Sequence, residues 1–563
     1  MKNNQRKKRL SCLYDAPFGA DFSEKPAGEL CRIENMYVDY EGGGDCVESI
    51  PGFRVIYSFK KKIHRIFLLD GEVFIHAGEG LYRFKKEERD SVRALTPVLT
   101  LKNARCPMAR LDNSLLILSE GRLIRLWAGG ESMECDAPEE IARCTRMVVL
   151  GGRLLLSGSR KMPRRVYFTD FDSYGAPIFA LDGYFDAAER VNSMLASGGK
   201  LLLFTKGGVF SYRDEGGVFL PEESLGGIDA ERGICFLDEI LFTSDTGLIS
   251  LDGAKCLSDK VNPLLLSGEV QNLTTWRGYL ALCRRGEIFL ADPRRRRGDG
   301  SDRFDWYYLC RIGSYKGDSR LFRYGETAEE GYATHPLPHS VCEGEAMSLI
   351  DESGRTIYYC EENGVKYSIY PTGERVGGVF YPATEFASDG ELLYFATESG
   401  DLCLFNSDMR AAPPPYLKEQ AGFDEGEYRR LNSRRIHPYF YSFANHAPEY
   451  RLVTRNDSLS LPFTKKNTLA KSLKITAKCF SKSNMELAVI CDGVLVQRSA
   501  VRAGCAEFSE VDFSASPSGA ESVTVTLPEH QNGWVSKQIA VYGREFCSPI
   551  GIYSLSYQYK TTG

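Results

Sequence analysis

Asp70-Gly-Glu-Val-Phe-Ile-His-Ala-Gly-Glu-Gly-Leu-Tyr-Arg-Phe84 reads as two short apolar strands, each introduced by a tight turn, and Asp112-Asn-Ser-Leu-Leu-Ile-Leu-Ser-Glu-Gly-Arg-Leu-Ile-Arg-Leu126 repeats the pattern. The turn pairs supply the positive φ that a two-residue hairpin requires, and Leu, Ile, Val, Phe and Tyr suit pleated, half-buried strands. Further copies begin at Gly151-Gly-Arg-Leu-Leu-Leu, Gly198-Gly-Lys-Leu-Leu-Leu-Phe, Asp238-Glu-Ile-Leu-Phe, Arg277-Gly-Tyr-Leu-Ala-Leu, Asp318-Ser-Arg-Leu-Phe, Ser353-Gly-Arg-Thr-Ile-Tyr-Tyr and Asp389-Gly-Glu-Leu-Leu-Tyr-Phe. Their spacing is about forty residues, the length of one four-stranded propeller blade, and a blade cannot bury its faces until neighbours stack on it. A solenoid of the same period would leave an apolar face at each end, so a closed ring is preferred. Nine such markers exceed the usual upper count of about eight blades, so one belongs to an insertion or a capping hairpin. The expectation is an all-β chain whose β-propeller has seven to nine blades, with eight favoured.

Working outward, 563 residues at 43% hydrophobic content allow several domains and a substantial core, which excludes disorder. The 70 basic and 75 acidic residues nearly cancel, leaving no global field to name a partner. Apolar stretches such as Met147-Val-Val-Leu150 and Leu201-Leu-Leu-Phe204 fall far short of the ~18 residues of a spanning helix, so a soluble protein with no membrane-spanning segment is expected. Met1-Lys-Asn-Asn-Gln-Arg-Lys-Lys-Arg-Leu10 has the charge of a signal peptide's first region but no apolar stretch behind it, and Sec export is not expected. The 17 Cys are scattered singly from Cys12 to Cys547 without a C-x-x-C pair, which reads as small buried hydrophobes in a reducing cytosol rather than a disulfide framework or zinc site.

The repeat stops at Asn406-Ser-Asp-Met-Arg-Ala-Ala-Pro-Pro-Pro-Tyr416, where three prolines forbid helix and central strand. A second β-domain follows, with period-two alternation at Leu473, Ile475, Ala477 and Cys479, at Val523 and Val525, and at Tyr553, Leu555, Tyr557 and Tyr559. Asp492-Gly493 is a type I′ hairpin signal, and the stretch reads as an antiparallel β-sandwich of jelly-roll type. Ahead of the repeats, Leu30, Ile33 and Tyr37 fit one helical face. The domain reading is therefore 1–10 basic arm, 11–60 N-terminal segment contributing to a platform, 61–408 propeller, 409–427 Pro-rich linker and 428–563 C-terminal sandwich.

Chemistry is sparse. The chain has seven His, and in His335-Pro-Leu-Pro-His339 the two prolines destroy the helix that would place both rings on one face. No nucleophile elbow, phosphate loop or zinc-protease helix is present, so no cofactor and no metal are expected. Asp170-Phe-Asp172 is the best local pair for a propeller glycosidase, against the plainer reading of a strand ending in an Asx turn. Two basic clusters are candidate contacts to nucleic-acid phosphates or an acidic partner: Arg6, Lys7, Lys8 and Arg9, then Arg294, Arg295, Arg296 and Arg297. The plain alternative is a solvated arm and a solvated loop. Arg297-Gly-Asp299, Asn272-Leu-Thr and Asn456-Asp-Ser spell adhesion and glycosylation motifs, read as chance without an export signal.

The order of further segments resembles a bacteriophage structural family, the β-propeller nozzle or tail-stabilisation (tail tubular) proteins at the distal end of short-tailed phage connectors. The segments are Ile33-Glu-Asn-Met-Tyr37, Ser49-Ile-Pro-Gly-Phe53, Arg165-Val-Tyr-Phe-Thr-Asp-Phe171, Leu201-Leu-Leu-Phe-Thr-Lys-Gly-Gly-Val-Phe-Ser-Tyr212, Gly226-Gly-Ile-Asp, Gly233-Ile-Cys-Phe-Leu-Asp-Glu-Ile-Leu-Phe242, Thr454-Arg-Asn-Asp-Ser-Leu-Ser-Leu-Pro462 and Ser536-Lys-Gln-Ile-Ala-Val-Tyr542. The resemblance implies a non-enzymatic virion part, made in the host cytoplasm and assembled as a homo-oligomeric ring, a hexamer by family likeness. It would meet adaptor and tail-fibre proteins, and genomic DNA would pass through it. A carbohydrate-active propeller enzyme and a cytosolic interaction scaffold are the alternatives. Only four Trp, at Trp127, Trp276, Trp306 and Trp534, count modestly against a sugar-stacking platform.

Overall fold

The computed structural model describes residues 53–294 apart from 90, 91, 93, 105 and 181, then 304–316 apart from 310 and 311, and 379–405. Elsewhere it describes the strands named below, with residues 35, 38, 40 and 50.

The chain is all-β, and its strands from Phe53 to Phe405 form a seven-bladed propeller. Blade 1 runs Ile63–Leu69, Glu72–Ala77, Gly80–Lys85 and Pro97–Thr100. Blade 2 runs Met108–Leu111, Ser114–Ser119, Arg122–Trp127 and Ser132–Asp136. Blade 3 has Arg146–Leu150, Arg153–Ser157 and Arg165–Phe171, edged by Tyr184–Asp186 and Pro177–Ile178. Blade 4 has Val191–Ser197, Lys200–Thr205, Gly208–Glu215 and Val218–Gly226. Blade 5 keeps three strands, Ala230–Phe236, Glu239–Ser244 and Gly247–Ser250, with a short helix Asn262–Leu265 after them. Blade 6 has Asn272–Trp276, Tyr279–Arg284, Glu287–Asp292 and Asp305–Leu309. Blade 7 has Val379–Ser388, Leu393–Thr397 and Asp401–Phe405, and its outer strand is Phe53–Ser58 from the N-terminal side.

Eight blades were favoured on sequence, and the ring has seven. The copies that begin at Asp318 and Ser353 supply Phe322–Tyr324 and Thr356–Glu362, which pair with Val365–Ile369 and Met347–Ile350 in a separate sheet inserted into blade 7. Gly313–Lys316 pairs with the start of Val379–Ser388 at the base of that insertion. The first strand of blade 6 contacts that of blade 7, which contacts that of blade 1, so the ring closes past the insertion.

The apolar residues explain the closure. Leu69, Phe74 and Leu81 of blade 1 share a buried cluster with Met108, Leu115 and Ile117 of blade 2. Similar clusters join blades 2 and 3, 3 and 4, 4 and 5, and 5 and 6. Ile56, Ile63, Ile75, Tyr394 and Leu404 join blade 7 to blade 1. Each fully buried Leu, Ile or Phe contributes ~1.5–3 kcal/mol, available only when the next blade covers it. Close approach sometimes demands glycine: a Cβ on Gly233 of blade 5 would collide with the ring of Phe204 in blade 4.

Leu30–Glu34 is a strand where the spacing of Leu30, Ile33 and Tyr37 suggested a helical face. It lies parallel to the outer strand of blade 6, Glu34 opposite Tyr308, and antiparallel to Glu449–Thr454. The free main-chain edge of a blade needs a partner, and that requirement outweighs a three-residue helical pattern. The sheet continues from Glu449–Thr454 through Ser536–Arg544 and Asn484–Cys491 to Val494–Arg502. A second C-terminal sheet holds Met36–Tyr37, Val47–Ser49, Ile550–Thr562, Lys466–Cys479 and Ala520–Thr526, with Lys7–Asp15 also pairing with Ile550–Thr562. The alternation expected at Leu473–Cys479 and at Val523 and Val525 falls on paired strands, Leu473 opposite Val525 and Ile475 opposite Val523. The proline-rich segment 409–427 and Asp492-Gly493 lie outside the described residues.

Candidate functional site

Four inner strands carry a register shift, near the start of three, between Ile63 and Arg65, Val191 and Ser193, and Ala230 and Arg232, and in the middle of Val379–Ser388, between Ala383 and Glu385. A bulge of this kind bends a strand and re-aims its side chains. The residues at and beside these bulges are polar although the strands are otherwise largely apolar: His64 and Arg65, Asn192 and Ser193, Glu231 and Arg232, Thr384 and Glu385. They form one mouth of the ring, where side-chain hydrogen bonds tie blade 3 to blade 4, blade 4 to blade 5 and blade 6 to blade 7. The Arg146 Nε–H donates to the Asn192 carbonyl at 2.6 Å, and the Asn192 amide donates to the Ala230 carbonyl at 3.0 Å. The Ser193 hydroxyl donates to the Glu231 carbonyl at 2.7 Å, and the Asn272 amide to the Phe386 carbonyl at 2.6 Å.

Charge at this mouth is mixed. Burial pulls the Arg65 guanidinium below its ordinary value; Glu385 opposes the shift and Arg232 adds to it. Burial raises Glu231, helped by the nearby carboxylates Glu269 and Asp229. Sequence reasoning missed this site. The signal was available as the polar pairs His64-Arg65, Asn192-Ser193, Glu231-Arg232 and Thr384-Glu385 within inner strands, where a core strand would carry Val or Leu.

The residues singled out from sequence fall elsewhere. Arg294 stands in a cage: its Nε–H donates to Asp292 Oδ1 at 2.9 Å, and its guanidinium lies 3.6 Å from the Tyr40 ring centroid and 4.3 Å from that of Tyr279. The Tyr40 hydroxyl donates to Asp292 Oδ2 at 2.6 Å, and the Tyr279 hydroxyl, beside the same cage, donates to the Val38 carbonyl at 2.5 Å. Tyr37 stacks on Trp276 at 5.8 Å. Burial, with Asp292 second, pushes the Tyr279 phenol upward and keeps it neutral. Arg294 was expected in a solvated loop. Its side chain is 32% exposed and clamps the N-terminal segment to blade 6, because two aromatic faces and a buried carboxylate hold a guanidinium better than water does.

Arg295, Arg296, Arg297 and the Arg297-Gly-Asp299 tripeptide lie outside the described residues, as does Arg6. Lys7, Lys8 and Arg9, the candidate contacts to nucleic-acid phosphates or an acidic partner, have a backbone that pairs as a strand opposite Lys560, Tyr559 and Gln558. A free edge on Ile550–Thr562 offers the main-chain bonds that an isolated arm lacks.

Asp170 accepts a forked pair from Arg153, Nε–H at 2.6 Å and Nη2–H at 3.1 Å, and Arg153 also donates to Asp214 of blade 4 at 2.7 Å. Asp172 accepts the amides of Tyr174 and Ala176 at 2.9 and 2.8 Å, the Asx turn of the plainer reading. His335, His339 and Asn456 lie outside the described residues, and Asn272 is the inter-blade amide above. Cys106, Cys144, Cys283 and Cys403 are free and buried, Cys144 with its thiol pushed up to about 12 by burial; Cys491 is buried, and Cys235 is exposed. Among the described residues no cluster of His, Cys, Asp and Glu could hold a metal ion, and no helix is long and apolar enough to cross a membrane.

No protein family and no curated protein sequence matches the chain. Among solved structures it is similar to BamB from Moraxella catarrhalis, at 12% identity and a TM-score of 0.33, covering 62% of this chain and 97% of that one. It is similar to the Pan2 WD40 domain from Neurospora crassa, at 9% identity and a TM-score of 0.37, covering 63% and 95%. A third likeness is to virginiamycin B lyase from Staphylococcus aureus, at 9% identity and a TM-score of 0.30, covering 62% and 96%.

Proposed function

We propose that this chain is a non-enzymatic structural protein of a bacteriophage virion, one subunit of a homo-oligomeric nozzle ring in the tail through which the genome passes. The reading starts from the family resemblance of the sequence. The observation that supports it is the sheet running without interruption from blade 6 through Leu30–Glu34 into Glu449–Thr454, Ser536–Arg544, Asn484–Cys491 and Val494–Arg502. Main-chain hydrogen bonds thus join the propeller to the C-terminal strands, and the Arg294 cage pins the same N-terminal segment from the side. A part that carries load between a ring and a projecting module needs such a joint rather than a hinge.

In this reading the two C-terminal sheets face one another as an antiparallel sandwich of jelly-roll type. That sandwich and the N-terminal segment form a sixfold annulus, and the propellers project away from the head. One propeller channel is too narrow for duplex DNA, so the conduit is the ring axis. Adaptor and tail-fibre proteins are the neighbours, and the protein is made in the host cytoplasm. Against the glycosidase alternative, Asp170 is occupied by Arg153 and Asp172 by its turn.

Electron microscopy of purified particles tests the proposal. A sixfold ring of this chain at the tail is the expected image, and Asp170→Asn and Asp172→Asn variants are expected to assemble normally. Absence of the protein from virions, or turnover of a glycan that requires either aspartate, overturns it.

A further inference from the structure

The four bulges of the mouth fall at the same step of their hairpins. Arg65 stands opposite His76, Ser193 opposite Phe204, Arg232 opposite Thr243 and Glu385 opposite Ala396, and the pair beyond each bulge is Ile63 with Ala77, Val191 with Thr205, Ala230 with Ser244 and Ala383 with Thr397. Equivalent positions of a radial repeat stand at one level around its axis, so these four side chains share a level of the lumen. Blades 6 and 7 separate blade 5 from blade 1 on one side and blades 2, 3 and 4 on the other, so Arg65 and Arg232 face each other only across that lumen. Their charges act on one another there: Arg232 opposes the charge on Arg65, and Glu385 of the adjoining blade 7 favours it.

An independent observation points to a missing acceptor. Among the described residues neither Arg65 nor Arg232 makes a hydrogen bond or an ion pair, with Glu385 or with any other group. Arg232 is exposed, but Arg65 is half-buried, and loss of water is the largest influence on its guanidinium. Other half-buried or buried arginines of the ring are tied: Arg284 to Glu287, Arg153 to Asp170 and Asp214, and Arg83 to Glu72. A guanidinium offers five N–H donors and cannot shed its charge, so two that face one another without an acceptor incur repulsion and unpaired donors together, which an anion between them removes.

We propose that the lumen binds a phosphate group between Arg65 of blade 1 and Arg232 of blade 5. Guanidinium forks on opposite walls suit a tetrahedral oxyanion, which offers acceptor oxygens in both directions, whereas a planar carboxylate satisfies one fork. The Asn192 and Ser193 side chains are already spent on the Ala230 and Glu231 carbonyls, so the two arginines carry recognition. Glu385 at the same level repels the anion and holds the affinity down. The site lies within one chain and does not depend on the assembly proposed above.

Calorimetric titration of the full-length chain with inorganic phosphate, and separately with glycerol 3-phosphate, at constant ionic strength tests the site. Saturable one-site binding of at least one probe is expected. It should weaken about tenfold or more in Arg65→Gln and in Arg232→Gln, and be unchanged in the remote Arg110→Gln variant, whose side chain pairs with Asp70. Because Arg232 is exposed, its replacement leaves folding intact, which separates loss of a ligand contact from loss of structure. Glu385→Gln is expected to tighten binding by removing the opposing carboxylate, a gain that a merely structural role would not produce. Tighter phosphate binding identifies a free anion, tighter ester binding a phosphate carried on a larger molecule, and both support the site. No saturation by either probe, equal affinity in the parent and Arg232→Gln, or weaker binding in Glu385→Gln overturns the proposal.

Discussion

His76, fully buried in blade 1 with the His64 ring 5.0 Å away, shows how a single side chain ties stability to pH. Burial first, and the neighbouring His64 second, lower its pKa from 6.5 to about 4. The folded protein therefore holds it neutral in a window where the unfolded chain takes up a proton. Stability is unaffected above pH 6.5 and falls as pH drops from 6.5 towards 4, by up to about 3 kcal/mol from this group. Urea unfolding at pH 7 and pH 4.5 is expected to show the loss, and His76→Leu to remove most of it; an equal slope in the variant would assign the effect elsewhere. Composition showed a histidine in an apolar run but could not show its burial. The Arg294 cage was equally hidden, since its partner Tyr40 stands 252 residues from Asp292 and no local pattern links them.

At the scale of elements, hairpin turns were the most legible feature. Asp70 and Gly71, Gly151 and Gly152, Gly198 and Gly199, and Arg277 and Gly278 all adopt positive φ, as a type I′ turn demands. Blade 5 makes the same turn with Leu237 and Asp238, at φ of 52° and 62°, although neither is glycine and Leu237 is largely exposed. Replacing the pair with Asn-Gly is expected to stabilise the protein by about 1 kcal/mol, by removing left-handed strain at the cost of some unfolded-state entropy. Thermal melting checks this, and a fall in the midpoint would show that Leu237 makes a contact worth more than the strain. Leu30–Glu34 was misread because three residues at helical spacing carry less information than the unpaired sheet edge they cover.

For the whole molecule, the closing strand is decisive. Phe53–Ser58 enters blade 7 beside Asp401–Phe405, so the ring is latched by residues nearly 350 positions apart. Ile56 packs in the cluster shared by blades 7 and 1. Ile56→Ala is expected to cost about 2–4 kcal/mol in a single cooperative unfolding transition, as a core deletion does. A cost below ~0.5 kcal/mol, or early melting of one blade alone, would mean that the latch does not hold the ring.

Local chemistry determined what each segment could be: turn pairs, alternating strands and a forty-residue period dictate blades, and blades dictate a ring, because these depend only on near neighbours. The count of seven was decided in three dimensions. The segments at 322–324 and 356–362 have the same texture as a blade but pair among themselves, and the outer strand of blade 7 comes from the other end of the repeat. Which polar residues meet at the mouth followed only once the ring brought distant inner strands side by side. Electrostatic and hydrogen-bond energies depend on distances of a few ångströms, which sequence separation does not encode.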